Sequence, residues 1–331
     1  MELTFPIFRG SADKRIVSDT TTRQLGVNEV YIETTHSGLC GTDEHFMRQG
    51  LALGHEGVGI VKHVGPDVTS VHVGDRVGYG YVRKTCRACN QCLTGWAQYC
   101  PNGRMYLTHD HDLGSLSHGT VWDADWVFPI PDGYDSAHAA PLLCAGATVW
   151  TCLTQYNVRP GQRVGVLGIG GVGHLAIKLA NEIGCHVVVL SRTEGKRQEA
   201  LDFGAAEFHL FGGDHALEET FEPVQHLLIC GQPGKSLDTL VPLMDNNSTM
   251  FFITASFEPI EVSFALMIQR GICIQSSFIA SRQVVLDLLE FASRKKIYPT
   301  IMEFPLTQAG IEEAMWMLKS GRIRYRAVLH R

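Results

Sequence analysis

The sequence lacks several features that would place it in familiar classes of protein. No apolar run approaches the roughly 20 residues needed to cross a bilayer, and the opening stretch MELTFPIFRGSADKR has no apolar core of a signal peptide. Lys and Arg number 28 against 34 Asp and Glu, so the chain has no electrostatic footprint for nucleic acid or an anionic membrane. Internal repeats and low-complexity segments are also missing. We therefore expect a cytosolic globular protein whose partners include neither nucleic acid nor membrane.

A change in composition and hydrophobic pattern along the chain predicts two domains, as its length of 331 residues also suggests. The first part is rich in Gly, His, Cys and Pro, and short alternating runs such as 29–35 and 57–64 predict strands. From about residue 142, strands alternate with helices, which predicts a doubly wound parallel sheet. The predicted strands are 163–168, 185–191, 207–211, 226–231, 248–255 and 271–279. A helix and a terminal strand after residue 281 do not extend this repeat. We predict an α/β protein with a β-rich domain of residues 1–142 and 282–331 and a parallel-sheet domain of residues 143–281.

A glycine-rich turn opens the first helix of the second region. The segment GIGGVG fits G-x-G-x-x-G, follows a predicted strand at 163–168 and leads into a predicted helix at 172–184. Glycine allows a tight turn and close approach of the backbone to a pyrophosphate, which then lies at the positive end of the helix. An ordinary loop is the competing interpretation, but the strand-to-helix context favours a dinucleotide site. The residues assigned to this site are Gly168, Gly170, Gly171, Val172 and Gly173.

The end of the next strand favours NADP(H) over NAD(H). An NAD site usually has an Asp or Glu about 20 residues beyond the glycine turn, on the ribose 2′-hydroxyl. Ser191 stands there instead, followed by Arg192, Lys196 and, as a further candidate, Arg197. These cations suit a 2′-phosphate, which a carboxylate would repel. The competing interpretation is an ordinary solvated helix start, and Glu194 reduces the local positive charge. We assign Ser191, Arg192 and Lys196 to the cofactor.

Four of the ten cysteines lie within fifteen residues of one another. Cys86, Cys89, Cys92 and Cys100 have the spacing C-x₂-C-x₂-C-x₇-C, which lets their thiolates converge on one tetrahedral ion. Buried free cysteines and an iron–sulfur cluster are alternatives, and a redox pair is disfavoured because it needs two cysteines rather than four. Four thiolates leave no position for water, so we predict a structural zinc in this cysteine lobe (residues 86–100).

A second set of residues able to bind a metal is dispersed along the chain. Cys40 stands in GLCGTDEH, His55 and Glu56 in GHEG, and Cys144 in PLLCAG. Each has a simpler explanation by itself, because a lone cysteine in an apolar run usually belongs to the core and a His–Glu pair suits a surface turn. Their presence together with the cysteine lobe and the glycine turn makes these simpler explanations improbable as a group.

These motifs make the chain resemble the zinc-containing medium-chain alcohol dehydrogenases and, within them, the cinnamyl alcohol dehydrogenase branch. The resemblance extends over nearly the whole chain, through GLCGTDEH, GHEGVGIVKHVGPDV, the cysteine lobe, IPDG, APLLCAG, LGIGGVGHLAIKLA and IRYRAVLHR in that order. It implies a GroES-like β-rich catalytic domain, a Rossmann cofactor domain, NADP(H) and two zinc ions per chain.

The resemblance also assigns a role to each dispersed residue. It makes Cys40, His55 and Cys144 the ligands of a catalytic zinc with an open coordination position, and Glu56 an alternate ligand that exchanges with water or substrate. It makes Asp43 the acceptor that orients His55, as metal-bound histidines usually require.

A proton relay is implied in the same way. Thr42 would accept the proton of the alcohol and pass it through the cofactor ribose to His45, while hydride moves to C4 of the nicotinamide. A turn hydroxyl is the simpler explanation of Thr42, and a solvent-exposed polar residue that of His45.

The chain departs from the family pattern in two places. Only fourteen residues, 41–54, separate Cys40 from His55, which is fewer than the family normally has, and the missing stretch usually lines the substrate channel. Met105 stands five residues after the last lobe cysteine, where the cinnamyl branch tends to have tryptophan. A flexible thioether thus replaces an aromatic surface, which weakens the expectation of a lignin-type cinnamyl substrate.

Three other residues are candidates for the pocket. Phe278 and Ile279 match family positions near the nicotinamide, although sheet core explains them equally well, and Trp122 is a further candidate. We assign Ile279 to the cofactor site, and Met105 and Phe278 to the substrate pocket.

The predicted reaction is hydride transfer between NADP(H) and a primary alcohol/aldehyde pair, aromatic or aliphatic, in the direction of aldehyde reduction. A polyol or formaldehyde dehydrogenase, a C=C or iminium reductase of the same fold, and a non-enzymatic zinc or nucleotide binder are the alternatives. The presence of Thr42, His45 and Glu56 disfavours the C=C reductase, and the open ligand set disfavours the simple binder. Family analogy predicts a homodimer paired through the strand GICIQSSFI.

Overall fold

The computed structural model describes residues 1–213, 215, 220–254 and 258–331, and the chain divides into two compact units. The first unit comprises residues 1–147 and 279–331, and the second comprises residues 148–278. The sequence predicts boundaries at 142/143 and 281/282, a few residues from these limits. Within the described residues, no helix is long and apolar enough to cross a membrane.

The N-terminal part of the first unit is built mainly from strands. They are β1 (Glu2–Gly10), β2 (Ile16–Gln24), β3 (Glu29–Leu39), β4 (Gly57–Val64), β5 (Arg76–Tyr79), β6 (Val82–Lys84), β7 (Arg104–Met105), β8 (Thr120–Asp123) and β9 (Val127–Pro129). The helices of this part are α1 (Gly41–His45), α2 (Asn90–Leu93), α3 (Ser136–Ala139) and α4 (Ala145–Gln155), the last of which runs into the second unit. Single 3₁₀ turns cover Met47–Gln49, Ala97–Tyr99, Ala124–Trp126 and Ala140–Leu143.

The second unit alternates strands with helices. Its elements are β10 (Arg163–Leu167), α5 (Gly173–Ile183), β11 (His186–Ser191), α6 (Arg197–Asp202), β12 (Glu207–Leu210), β13 (Val224–Ile229), β14 (Met244–Phe252), α7 (Phe264–Arg270) and β15 (Cys273–Ser276), with 3₁₀ turns at Glu194–Lys196 and Leu237–Leu243. The described strands pair in the order β12-β11-β10-β13-β14-β15, and every pairing is parallel. This confirms the predicted parallel sheet.

Periodicity located these elements well, but their ends differ from the sequence predictions. The strand predicted at 248–255 runs over Met244–Phe252, and residue 255 lies outside the described part of the chain. The strand predicted at 271–279 is shorter, Cys273–Ser276, because Gly271 closes the preceding helix in a left-handed conformation.

The chain then returns to the first unit through α8 (Arg282–Lys295), β16 (Ile301–Pro305), α9 (Gln308–Lys319) and β17 (Arg326–His330). The sequence predicts one helix and the terminal strand in this region, whereas the structure also contains β16 and α9. β17 joins the large sheet of this unit, whose order is β16-β17-β3-β4-β5-β9 with β8 beside β3. This sheet positions the segment that contains three of the predicted catalytic zinc ligands, Cys40, His55 and Glu56. β3 ends at Leu39, just before this segment, and β4 begins at Gly57, just after it.

Candidate metal and cofactor sites

Asp43 organises the segment that follows β3. Its Oδ2 accepts a hydrogen bond of 2.9 Å from the backbone N–H of Cys40, so the side chain caps α1 from within the first turn. Its Oδ1 faces His55 Nδ1 at 3.1 Å, and both side chains are fully buried. One carboxylate therefore determines both where Cys40 lies and how the imidazole is turned.

The other nitrogen of His55 indicates a ligand. Nε2 is buried and makes no hydrogen bond within the described part of the chain. A buried polar atom without a partner is costly, and imidazole with its Nδ1 held by a carboxylate is the usual arrangement of a metal-binding histidine. Gly54 permits the tight loop here, because it has φ of 93° and an added Cβ would lie 2.4 Å from the backbone nitrogen of Leu116.

The structure brings the four dispersed residues together. One ligand atom each of Cys40, His55, Glu56 and Cys144 lies within 4.8 Å of the other three. Cys144 reaches the group because it stands where the 3₁₀ turn Ala140–Leu143 ends and α4 begins. Two thiols, an imidazole and a carboxylate form a donor set that suits Zn²⁺, so these residues fit the predicted metal.

The electrostatics of this group also suit a cation. A hydrogen bond from the Cys144 thiol and the neighbouring His55 hold the pKa of Cys40 well below its usual value, whereas the hydrogen bond to Cys40 and burial hold the pKa of Cys144 well above it. Burial raises the pKa of Glu56 to about 7, against the opposing charge of Arg326. Thiolates and carboxylates in one buried site repel one another, so their simultaneous ionisation is unfavourable. A bound divalent cation offsets this repulsion.

Glu56 has a partner that the sequence analysis did not identify. Arg326 on β17 donates to both carboxylate oxygens of Glu56 through Nη2, at 2.6 Å for Oε2, and both residues are buried. In this structure Glu56 is therefore held in an ion pair as well as lying among the candidate ligands. The signal available in the sequence was a single arginine within the otherwise apolar run RAVL of a terminal strand.

The two relay candidates lie on α1 beside the ligands. Thr42 is half-buried, with its Oγ1 3.6 Å from Cys40 Sγ. His45 is exposed at the end of the same short helix, and its ring lies 6.3 Å from that of Phe46. The hydroxyl is thus placed next to a candidate ligand, and the imidazole is placed at the surface.

The cysteine lobe is a separate cluster with the geometry of a closed site. The Sγ atoms lie 4.0 Å apart for Cys86–Cys92, 3.6 Å for Cys89–Cys92, 3.8 Å for Cys89–Cys100 and 3.5 Å for Cys100–Cys86. A tetrahedral ion with zinc–sulfur bonds of about 2.3 Å requires thiolates about 3.8 Å apart, so the four residues fit a zinc ion. Backbone N–H groups of Cys86 and Cys89 also donate to lobe sulfurs, at 3.4 and 3.3 Å.

The glycine turn of the second unit has the shape that the motif predicts. Gly168 follows β10 with φ of 93°, and α5 begins at Gly173. A Cβ added to Gly173 would lie 1.9 Å from the carbonyl oxygen of Gly168, whereas one added to Gly170 would meet no atom within 4 Å. Only glycine therefore allows the turn to pack this tightly against the helix start, and the backbone at Gly170 is left open to a ligand.

The three basic residues that follow β11 lie in different surroundings. Lys196 reaches back to donate to the carbonyl oxygen of Ile169 at 2.7 Å, which places its ammonium beside the glycine turn. Arg197 pairs with Glu194 and stacks on the Phe208 ring at 4.5 Å. Glu194 and Arg197 therefore neutralise each other.

Ser191 and Arg192 complete the strand end. The Oγ of Ser191 donates to the carbonyl of Thr193, and the Arg192 side chain is exposed. Arg192 and Lys196 therefore both place a cationic group at this strand end.

The residues predicted to line a pocket lie in different surroundings. Trp122 is buried core, with its ring 5.1 Å from Tyr79 and its Nε1 donating to the Val82 carbonyl. Met105 is half-buried in β7, and Phe278 is 36% exposed at the end of the second unit. Ile279 has φ of 40°, a strained value for a β-branched residue, and lines a cavity of about 10 Å³ in the first unit together with Tyr81, Val82, Leu143 and Ala147.

Comparisons with known proteins identify the family of the chain. Residues 26–132 match the alcohol dehydrogenase GroES-like domain family, and residues 171–294 match the zinc-binding dehydrogenase family. A cinnamyl alcohol dehydrogenase of Ocimum basilicum is 33% identical over 325 residues, covering 93% of this chain and 90% of the relative. A probable cinnamyl alcohol dehydrogenase of Aralia cordata is 32% identical, covering 93% of this chain and 89% of the relative.

Solved structures extend the likeness to three dimensions. A cinnamyl alcohol dehydrogenase of Sorghum bicolor superposes with a TM-score of 0.92 at 30% identity, covering 99% of this chain and 98% of that one. A second match, from Helicobacter pylori and described as complexed with NADP(H), has a TM-score of 0.90 at 26% identity and covers 100% of this chain and 99% of that one.

Proposed function

Since this chain belongs to the zinc-containing medium-chain alcohol dehydrogenases, in their cinnamyl alcohol dehydrogenase-like branch, we propose that it transfers hydride between NADP(H) and a primary alcohol/aldehyde pair. We further propose that it works chiefly as an aldehyde reductase and holds two zinc ions per chain. Its relatives identify the chain as an alcohol/aldehyde oxidoreductase. The cofactor, the metal count and the direction are our inferences.

One observation carries the proposal. Cys40, His55 and Cys144 come from three separated segments, yet their ligand atoms converge, and the buried Nε2 of His55 has no hydrogen-bond partner among the described residues. Cysteine and histidine in this combination leave room for an exogenous oxygen at the metal, as a catalytic site requires. The cysteine lobe provides the contrast, because its four thiols would close the coordination shell.

Different residues of the chain would have separate roles in the reaction. Cys40, His55 and Cys144 would hold the zinc, which when bound supplies a Lewis acid that stabilises negative charge on the substrate oxygen. Asp43 keeps His55 Nε2 turned toward the thiols through its contact with Nδ1. Thr42 would accept the proton released by the alcohol, and His45 at the surface would deliver it to solvent.

The choice of NADP(H) rests on charge at the end of β11. No carboxylate stands at Ser191, Glu194 is paired with Arg197, and the groups of Arg192 and Lys196 are positive. A 2′-phosphate would gain charge-assisted hydrogen bonds there. The H. pylori relative described with NADP(H) adds support by analogy.

Absorbance at 340 nm tests the reaction and the cofactor together. We expect NADPH to be consumed with cinnamaldehyde, benzaldehyde or an aliphatic aldehyde, and not with an enone. Ser191→Asp should raise the KM for NADPH roughly tenfold, the worth of one charge-assisted hydrogen bond, and leave the KM for NADH nearly unchanged. Arg197→Gln is the matched control, because that guanidinium is already paired with Glu194. Faster turnover with NADH than with NADPH in the unmodified protein would contradict the cofactor assignment.

We also propose a homodimer formed through β15. This strand ends the described sheet order, and the nearby apolar side chains Phe264, Ile268 and Ile274 are 72%, 79% and 42% exposed. An open sheet edge flanked by apolar residues suits pairing across a two-fold axis. Ile268→Lys should shift the mass seen by sedimentation from dimer to monomer, whereas Leu93→Lys, equally exposed in the cysteine lobe, should not. A wild-type chain that sediments as a monomer would refute the dimer.

We also propose a cytosolic location, which the assigned zinc ligands favour. Six thiols assigned to zinc must remain reduced, and the cytosol maintains that state.

A further inference from the structure

Tyr106 is a buried tyrosine that lies just beyond the cysteine lobe. It follows β7, and its backbone N–H donates to the carbonyl of Tyr81 at 2.8 Å, which joins it to the segment before β6. Only 3% of the residue is exposed. Its phenol therefore lies in the interior, where an unsatisfied hydroxyl would be costly.

The hydroxyl of Tyr106 finds its partner at the candidate metal site. It donates to Asp43 Oδ1 at 2.9 Å, the same oxygen that faces His55 Nδ1 at 3.1 Å. The backbone N–H of Gly54 lies 3.0 Å from the Tyr106 oxygen and 3.1 Å from Asp43 Oδ1.

The ring of Tyr106 also contacts the imidazole directly. Its centroid lies 4.9 Å from that of His55 with the planes inclined by 31°, and Tyr81 approaches the imidazole edge-on at 5.4 Å. The two tyrosines pack against each other at 5.6 Å. His55 is therefore constrained by a hydrogen bond at Nδ1 and by aromatic faces on the ring.

These contacts join into one chain from the hydroxyl to the ligand. The Tyr106 hydroxyl fixes the position of Asp43 Oδ1, and that oxygen fixes the rotation of the imidazole, which determines where Nε2 points. Groups that orient a metal ligand commonly change metal affinity by 10–100-fold when they are removed. The effect is expected here because both contacts are within hydrogen-bond distance and all three residues are buried.

We propose that Tyr106 is a positioning residue for the metal ligand His55, acting through Asp43 and through its ring. The inference rests on the proposed function, since it presupposes that His55 binds zinc. It extends that function by adding a residue to which the motifs assign no role. It also accounts for a polar group at the place where the chain leaves the lobe.

Tyr106→Phe tests the proposal, because it removes one oxygen and keeps the ring. Tyr79→Phe is the matched control: this phenol is also buried, and its hydroxyl bonds Thr34 at 2.7 Å rather than Asp43. The measurement is the zinc dissociation constant of the dispersed site, obtained by competition with a chromophoric chelator. The absorption spectrum of the Co²⁺-substituted protein provides a second readout that does not depend on turnover.

We expect Tyr106→Phe to weaken zinc binding at the dispersed site about tenfold and to alter the cobalt spectrum, while zinc in the lobe is unchanged. Tyr79→Phe should stay within twofold of wild type in both measurements. If Tyr106→Phe binds zinc as tightly as Tyr79→Phe does, the positioning role is refuted.

Two further outcomes are also informative. If Tyr106→Phe folds poorly without metal, the protein produced with excess zinc is used, and the rate of zinc release to chelator is compared. Faster release supports the proposal; an unchanged rate, or failure to fold even with zinc, overturns it. A wild-type chain that binds only the lobe zinc would refute the proposed function itself, which is a separate result.

Discussion

The cysteine lobe and the dispersed site differ in how they are held. The lobe draws its four thiols from fifteen consecutive residues, and three of them are only partly buried. The dispersed site draws its ligands from positions between 40 and 144, and both His55 and Glu56 are fully buried. The lobe has thiols for every corner of a tetrahedron, whereas the dispersed site adds residues that turn or balance a ligand. A closed site can therefore be formed by one short segment of the chain. An open site needs residues from distant segments to hold its ligands in position.

Removing a ligand from the dispersed site should have the largest effect. We expect Cys144→Ala to lower kcat/KM by about a thousandfold or more, because charge stabilisation of this size is lost with the metal. Zinc analysis should show the loss of one ion from two. Cys152→Ala is the control, since Cys152 is buried and belongs to neither cluster. If Cys144→Ala retained full activity, the dispersed site would not be the catalytic one, and the proposed difference between the two sites would be wrong.

Removing a ligand from the lobe should act on stability more than on chemistry. Cys92→Ser should lose the lobe zinc and lower the Tm by roughly 10 °C, because metal binding stabilises a loop that has little apolar content. We expect kcat at low temperature to remain within about tenfold of wild type. Cys185, which belongs to neither cluster, supplies the control substitution, Cys185→Ser. A loss of activity as complete as that of Cys144→Ala would show that the lobe is not merely structural.

The smallest effect concerns the charge network that flanks the lobe. Asp110 is bound by Arg83 of β6 at 2.5 Å, Arg104 of β7 at 2.7 Å and Arg23 at 2.8 Å. Burial raises the pKa of Asp110, but the charges of Arg83, Arg23 and Arg104 lower it by more. Because the folded pKa lies below the unfolded value of about 3.9, this contribution is present above that pH and is lost as the pH falls through the folded pKa.

Asp110→Asn tests this contribution of charge to stability, because asparagine tolerates the φ of 52° at this position. We expect the free energy of unfolding at pH 7 to fall by about 1–3 kcal/mol, measured with urea. The gap to wild type should stay nearly level down to about pH 4 and narrow below it, while zinc loss affects both proteins alike. Asp112→Asn, which removes a longer contact of 3.4 Å to Arg23, should cost less. A gap that stays constant with pH would show that charge is not the cause.

Much of the architecture was predictable because it depends on local pattern. Alternation in GVGIVKHV predicted β4 with its observed ends, and the apolar period of 172–184 predicted α5, which ends before Gly184 in a left-handed conformation. Strand and helix ends elsewhere moved by several residues, as at β14, because pairing with neighbours decides where a strand stops. The tail was underestimated, since β16 and α9 bury their apolar faces only against the rest of the first unit.

The sequence by itself determined the residue types and spacings of both proposed metal sites, because thiols and imidazoles are few and their chemistry is distinctive. The cysteine lobe was complete at that level, since two-residue spacings bring thiols together without help from distant segments. Only the tertiary structure decided that Arg326 pairs with Glu56, and that Tyr106 holds Asp43. Those partners lie 270 and 63 residues apart, and a contact at such separation depends on how strands and loops pack rather than on any local pattern.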